Sequence, residues 1–214
     1  RGLGDVYKRQ RYILMMKLVM GLGNPGEEYK NNRHNVGYMM LDRMAKKLNV
    51  DLEIRKKKTV FGRGKHGKME YLLLKPLTFM NLSGEAALYM ASFMKIAVDD
   101  IIVIYDDMNI PVGKFKVIPA VEENDIDNSK EAREGPLKHN GIKSIEDSLK
   151  SDNFTRIGVG IGKPDKNEEP ADFLLAPFTK EERKNIKSIS EEIVDAACIA
   201  LFESPKAAKN KYHD

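Results

Sequence analysis

A histidine and an aspartate fall where an α/β chain can join them: His34 lies in the loop after the first apolar run, and Asp106 follows the run at 101–105. A histidine held by an aspartate makes a general base near neutral pH, able to take a proton from water. Asn24 follows the first apolar run, and Asn81 follows the segment that begins at Leu72. Both are polar groups at the ends of strands. His139-Asn140-Gly141 adds another compact polar turn, in which Gly141 permits close backbone approach. Plainer readings compete: Asn24 before Pro25 forms a turn, Asn81 caps the next helix, and Asp106 with Asp107 sits in a solvated loop. Taken singly these plainer readings are favoured, and the case for chemistry is convergence, because ligands of open parallel sheets bind where the loops diverge from the strand carboxyl ends.

The surrounding pattern predicts such a sheet. Leu18-Val19-Met20 is a short apolar run ending in glycines, as in a buried strand, and Val36, Met40, Met44 and Leu48 then recur with helical spacing. Two short runs, 60–63 and 70–74, flank Gly64-Lys-His-Gly67 as a hairpin, and Ala87, Met90, Ala91 and Met94 form a second helical stripe. Ile101-Ile-Val-Ile-Tyr105 is fully apolar and β-branched, hence central and covered on both faces. Strands at 114–117 and 157–161 enclose a helix at 142–149, and a last helix carries Ile186, Ile189, Ile193, Ala197 and Leu201. Strands alternating with helices imply one three-layer αβα domain over residues 15–214, with a mixed, mainly parallel twisted sheet. Residues 1–14 read as a leader outside the fold, and the acidic stretch 118–138, which lacks apolar periodicity, reads as a solvated, mobile loop.

Several familiar chemistries are excluded. Gly21-Leu-Gly-Asn-Pro-Gly26 has the spacing of a dinucleotide loop, but Pro25 and the polar residues after it postpone the helix. Gly62 to Lys68 resembles a phosphate-binding loop, yet Met69 stands in place of the magnesium-holding hydroxyl and a strand follows. His34, His66, His139 and His213 have no metal-ligand spacing, so neither metal nor cofactor is expected. No G-x-S-x-G is present, and the single cysteine, Cys198, lies beside a helix's apolar stripe and excludes an internal disulfide. At 214 residues and 42% hydrophobic the chain can bury one core, and its formal charge of +4 is compatible with a polyanionic partner without arguing for one.

Lys17-Leu-Val-Met-Gly-Leu-Gly-Asn-Pro-Gly-Glu-Glu-Tyr29, Arg33-His-Asn-Val-Gly37, Lys75-Pro-Leu-Thr-Phe-Met-Asn-Leu-Ser-Gly84 and the segment from Asp106 to Pro111 together closely resemble bacterial peptidyl-tRNA hydrolase. Asn153-Phe-Thr-Arg-Ile-Gly-Val-Gly-Ile-Gly162 and Asp172-Phe-Leu-Leu175 continue the resemblance in order, so it spans nearly the whole chain. It implies a monomeric, cytoplasmic, metal-independent esterase that frees tRNA from the peptide on its 3′ ribose. It further implies that His34 is the catalytic base and Asp106 its orienting partner, that Asn24 and Asn81 hold the peptide and scissile region, and that Asn140 positions substrate or water. Tyr29 would approach the tRNA end, Met80 would form an apolar wall or simply pack in the core, and Lys116 with Arg156 would clamp the terminal phosphate. The run Arg55, Lys56, Lys57 and Lys58 either extends the RNA surface or is a solvated loop.

One stretch departs from the family. A short glycine-rich loop usually ends in Gly-Gly-His-Asn-Gly, whereas here an acidic segment ends in Glu134-Gly-Pro-Leu-Lys-His139-Asn-Gly141. Lost glycines there cost close backbone approach, and carboxylates over the cleft would repel phosphate. The rival readings are therefore a catalytically impaired RNA-binding relative and a small-molecule esterase without an RNA partner. Residues 165–170 correspond by position to a mobile gate over the peptide side.

Overall fold

The computed structural model describes residues 16–121 and 139–213. The proposed leader and all of the acidic stretch beyond residue 121 lie outside the described residues. Strands β1 (Met16–Gly21), β2 (Ile54–Lys56), β3 (Thr59–His66), β4 (Met69–Pro76), β5 (Ile101–Asp107), β6 (Phe115–Ile118) and β7 (Thr155–Gly160) form one sheet in the order β2-β3-β4-β1-β5-β7-β6. The inner strands β4, β1, β5 and β7 run parallel, while β3 and β6 run antiparallel to their neighbours. Helices are α1 (Val36–Leu48), α2 (Ser83–Met94), α3 (Asn140–Leu149), α4 (Pro170–Leu175), α5 (Lys180–Phe202) and α6 (Pro205–Tyr212). The expected three-layer αβα architecture with a mainly parallel sheet is the observed one.

The continuous apolar runs are strands because both of their faces are covered. On one face Leu18, Met20, Leu72, Leu74, Ile101 and Val103 pack against Ala87 and Met90 of α2 and Ile142 and Ile145 of α3. On the other, Val19, Leu73, Ile102, Ile104 and Ile157 meet Met40 and Met44 of α1 and Ile193 and Ala197 of α5. Each fully buried aliphatic side chain contributes about 1.5–3 kcal/mol over remaining in water.

Two glycines set how close α1 comes to the sheet. A Cβ on Gly37 would lie 2.3 Å from the Ile104 carbonyl oxygen, and one on Gly21 would lie 2.5 Å from the Gly37 carbonyl oxygen. The glycine run after β1 therefore serves close strand–helix packing, and α1 starts only at Val36, which accounts for the absence of a dinucleotide loop. Gly62 to Gly67 forms a strand and hairpin turn, with Gly67 at φ +59°, as its pattern predicts.

Three short elements, β2, α4 and α6, escape the periodicity reading because few of their residues are buried. The acidic stretch begins later than expected. Ile118 is buried at the end of β6, the Ala120 N–H donates to Thr155 Oγ1 (3.2 Å) and the Val121 N–H to Asn153 Oδ1 (2.6 Å), so 118–121 are tied to β7 rather than loose. On the outer edge the Val117 N–H of β6 donates to Nε2 of His213, just beyond α6, at 3.0 Å.

Gly37→Ala is expected to destabilise the fold by about 1–3 kcal/mol, the range for overpacking a rigid contact. The urea midpoint falls accordingly, and an unchanged midpoint would show that α1 can move away from β5.

Candidate active site

The carboxyl ends of β1, β4 and β5 lie side by side, because β1 pairs with both of the others. Asn24 leaves β1, Met80 and Asn81 follow β4 in a 3-10 turn (Met80–Leu82), and Asp106 is the last but one residue of β5. Crossing above them is a second 3-10 turn, Arg33–Asn35, which carries His34.

Asp106 is 1% exposed. Its carboxylate lies 2.9 Å from His34 Nδ1 through Oδ2 and 2.9 Å from His139 Nε2 through Oδ1. Burial alone would raise the pKa of this carboxyl, but the two imidazoles outweigh it and hold the group well below the usual aspartate range. The carboxylate is therefore ionised and acts as a hydrogen-bond acceptor toward both rings.

The two histidines are not equivalent. Nδ1 of His139 accepts the backbone N–H groups of Gly141 (3.1 Å) and Ile142 (3.2 Å), capping α3. An accepting Nδ1 carries no proton, so Nε2 is the nitrogen that donates to Asp106, and both ring nitrogens are committed. His34 uses only Nδ1 on Asp106. In that tautomer Nε2 of His34 bears a lone pair that no hydrogen bond among the described residues engages, whereas both ring nitrogens of His139 are bonded. The rings stand 4.9 Å apart.

The backbone under His34 is fastened by its neighbours. The Arg33 guanidinium donates to Glu182 (2.8 Å) and to the Phe173 carbonyl (3.2 Å), and lies 4.3 Å over the Phe173 ring. Glu182 in turn completes the capping box of α5 with Thr179, and these donors hold its carboxyl below the ordinary range despite partial burial. Asn35 clasps Asn24: its Oδ1 accepts the Asn24 N–H and its Nδ2 donates to the Asn24 carbonyl, both at 2.9 Å. Asn24 Oδ1 then accepts the Met80 N–H at 2.8 Å, which leaves Nδ2 as the end of that amide able to donate to a ligand.

His34 and Asp106 are in direct contact, and Asn24 is bonded to the backbone of Met80, the residue before the exposed Asn81; Asn140 is the exposed first residue of α3, next to His139. Met80 is 4% exposed and packs against Gly141, where an added Cβ would lie 2.7 Å from its sulfur, so it is core beneath the site. Tyr29 is half-buried in a 3-10 turn (Glu27–Tyr29). Lys116 is exposed on β6, two strand spacings (roughly 10 Å) from β5. Arg156 is not brought to it: this side chain is 2% exposed, bonded to Glu146 (2.8 Å) and the Asp152 carbonyl (3.1 Å), while the residue opposite Lys116 is Gly158. Residues 165–170 lead into α4, which Arg33 anchors.

Sequence reasoning missed Asn35, Arg33 and the bond between His139 and Asp106. It also dismissed metals on spacing, whereas folding brings ligand atoms of His34, Asp106 and His139 within 4.8 Å of one another. Those atoms face each other through hydrogen bonds, the arrangement of a proton-holding triad. Among the described residues no helix is long and apolar enough to cross a membrane.

A depressed carboxyl stabilises the fold fully above about pH 4, where an unfolded aspartate is ionised, and loses that contribution as pH falls toward its folded value. Asp106→Asn is therefore expected to flatten the acid arm of the stability curve below about pH 4. Superimposable acid arms in urea titrations would contradict an ionised Asp106.

Comparison with known proteins gives a consistent result. The family model for peptidyl-tRNA hydrolase matches residues 18–214. A peptidyl-tRNA hydrolase of Clostridium botulinum is 43% identical over 199 residues, covering 92% of this chain and 97% of that one. One from Geobacillus thermodenitrificans is 41% identical over 182 residues, covering 85% and 89%. The crystal structure of the Acinetobacter baumannii peptidyl-tRNA hydrolase superposes with a TM-score of 0.79 at 25% identity, covering 93% of this chain and 95% of that one.

Proposed function

Because the chain belongs to the peptidyl-tRNA hydrolase family, we propose that it hydrolyses the ester between a peptide, or an N-blocked amino acid, and the 3′-terminal ribose of tRNA. The observation that carries this reading is the buried, ionised Asp106 holding Nδ1 of His34 at 2.9 Å beside the amides of Asn24 and Asn81. Nε2 of His34 takes a proton from water as the water oxygen attacks the ester carbonyl. The imidazolium that forms is stabilised by Asp106, and it returns the proton to the ribose oxygen as the carbon–oxygen bond to tRNA breaks. The products are free tRNA and a peptide carboxylate.

Asn24 Nδ2 and the amides of Asn81 and Asn140 supply donors for the tetrahedral oxyanion and the peptide backbone. Preorganisation matters here, since a donor already fixed by Asn35 and the Met80 N–H need not reorient as charge develops. Lys116 offers a cation to the tRNA terminal phosphate without Arg156 as its partner, and Tyr29 stands before the site on the loop from β1. Metal-free hydrolysis by a monomer fits this assignment of roles. The comparisons support the hydrolase over an impaired binding-only relative.

In single-turnover cleavage of an N-blocked aminoacyl-tRNA, His34→Ala is expected to lower the rate by about 10²- to 10⁴-fold, the usual worth of a positioned base. Equal rates for the parent and His34→Ala would overturn the proposal.

A further inference from the structure

A second basic surface lies outside the catalytic cluster. The end of β2 and the turn that joins it to β3 carry Arg55, Lys56, Lys57 and Lys58 in succession, all exposed, and among the described residues only Lys58 of the four is in an ion pair, with Glu85 at 3.4 Å. Two of these cations lie over aromatic rings of α2: Lys56 Nζ is 3.6 Å from the Phe93 centroid and Lys57 Nζ is 5.7 Å from that of Tyr89. The two rings are nearly parallel, 8° apart in plane with centroids at 5.8 Å. Phe93 is 49% exposed and Leu88 is 44% exposed, although large apolar side chains on a helix normally face the core.

These residues recur on one stripe of α2. Glu85, Leu88, Tyr89, Ser92 and Phe93 line a shallow groove about 12 Å long at 1.5 Å per residue, with the lysine turn along its border. Glu85 is four residues beyond Asn81, so the near end of the stripe joins the rim of the catalytic cluster.

We propose that this face is an accessory RNA-binding surface for the body of the tRNA, with Lys56 and Lys57 on the phosphates and the Tyr89–Phe93 pair packing a base or ribose. The inference rests on the hydrolase reading for the identity of the RNA. Charge selects the occupant. Four consecutive cations against one carboxylate suit a polyanion, and flat, exposed rings under cations are the parts from which sequence-independent nucleotide contacts are built. A protein partner would be met by a groove whose border is almost entirely charged, which opposes desolvation at an interface core.

Two variants and two substrates separate this surface from the catalytic site. Lys56→Gln with Lys57→Gln is expected to weaken binding of deacylated tRNA and to reduce the slope of log K against log salt by about 1.5–2, from two lost phosphate contacts. Phe93→Ala removes no charge. It is expected to weaken tRNA binding about fivefold or more while leaving the salt slope unchanged. Both variants should hydrolyse an N-blocked aminoacyl ester of adenosine at the parental rate, because a single-nucleoside fragment held beside Asn81 does not span the roughly 18 Å of helix to Phe93. Unchanged tRNA affinity and slope in both variants, or an equal loss on tRNA and fragment, would overturn the surface. Failure of the parent to cleave either ester would instead overturn the hydrolase reading, while the tRNA affinities still decide for or against the surface.

Discussion

An ionised carboxylate with 1% exposure is the constraint around which this molecule is arranged. Removing such a charge from water costs several kcal/mol unless donors surround it, and breaking a buried pair costs about 3–5 kcal/mol. Asp106 meets the condition with two imidazoles from opposite sides, one on the turn before α1 and one at the start of α3. Each imidazole must in turn be held. His139 is held because its other nitrogen caps α3, and His34 because Arg33 next to it is fastened to α4 and α5. One charge therefore links elements from both helical layers across the end of the sheet.

The same arrangement separates tasks between chemically identical side chains. A histidine with both nitrogens engaged cannot exchange protons without losing a bond, whereas one with a single nitrogen engaged can. Helix capping engages the second nitrogen of His139, so that of the two rings only His34 keeps a nitrogen outside the hydrogen bonds of the described residues. The asparagine clasp shows the same economy, since Asn35 satisfies the backbone of Asn24 and frees its side chain to bridge to Met80.

Legibility in the sequence followed the range of each interaction. The apolar runs of β1 and β5 and the four-residue recurrence in α1 are local patterns, and each became the element it predicts. End-of-strand reasoning placed Asn24, Asn81 and Asp106 together because strand order brings those ends side by side. Asn35 and His139 act through partners 11 and 33 residues away, a separation that no periodicity records. Arg156 misled for a related reason: only the strand register shows that Lys116 faces Gly158, with Arg156 two pairs further along, opposite Ile118, and turned to Glu146. The exposed β2 and the short α4 and α6 carry too little apolar pattern to announce themselves.

The imidazole of His213 on the Val117 N–H bears on how the chain leaves the ribosome. An unpaired edge strand is a template for any other extended chain, and β6 borders the sheet. Its cover comes from α6 and the residue after it, which are C-terminal to everything they shield. While those residues are still inside the exit tunnel, an otherwise assembled sheet presents an open backbone edge to its surroundings. Seclusion of that edge thus waits until every strand has been made, and the interval before it is when self-association competes most directly with folding.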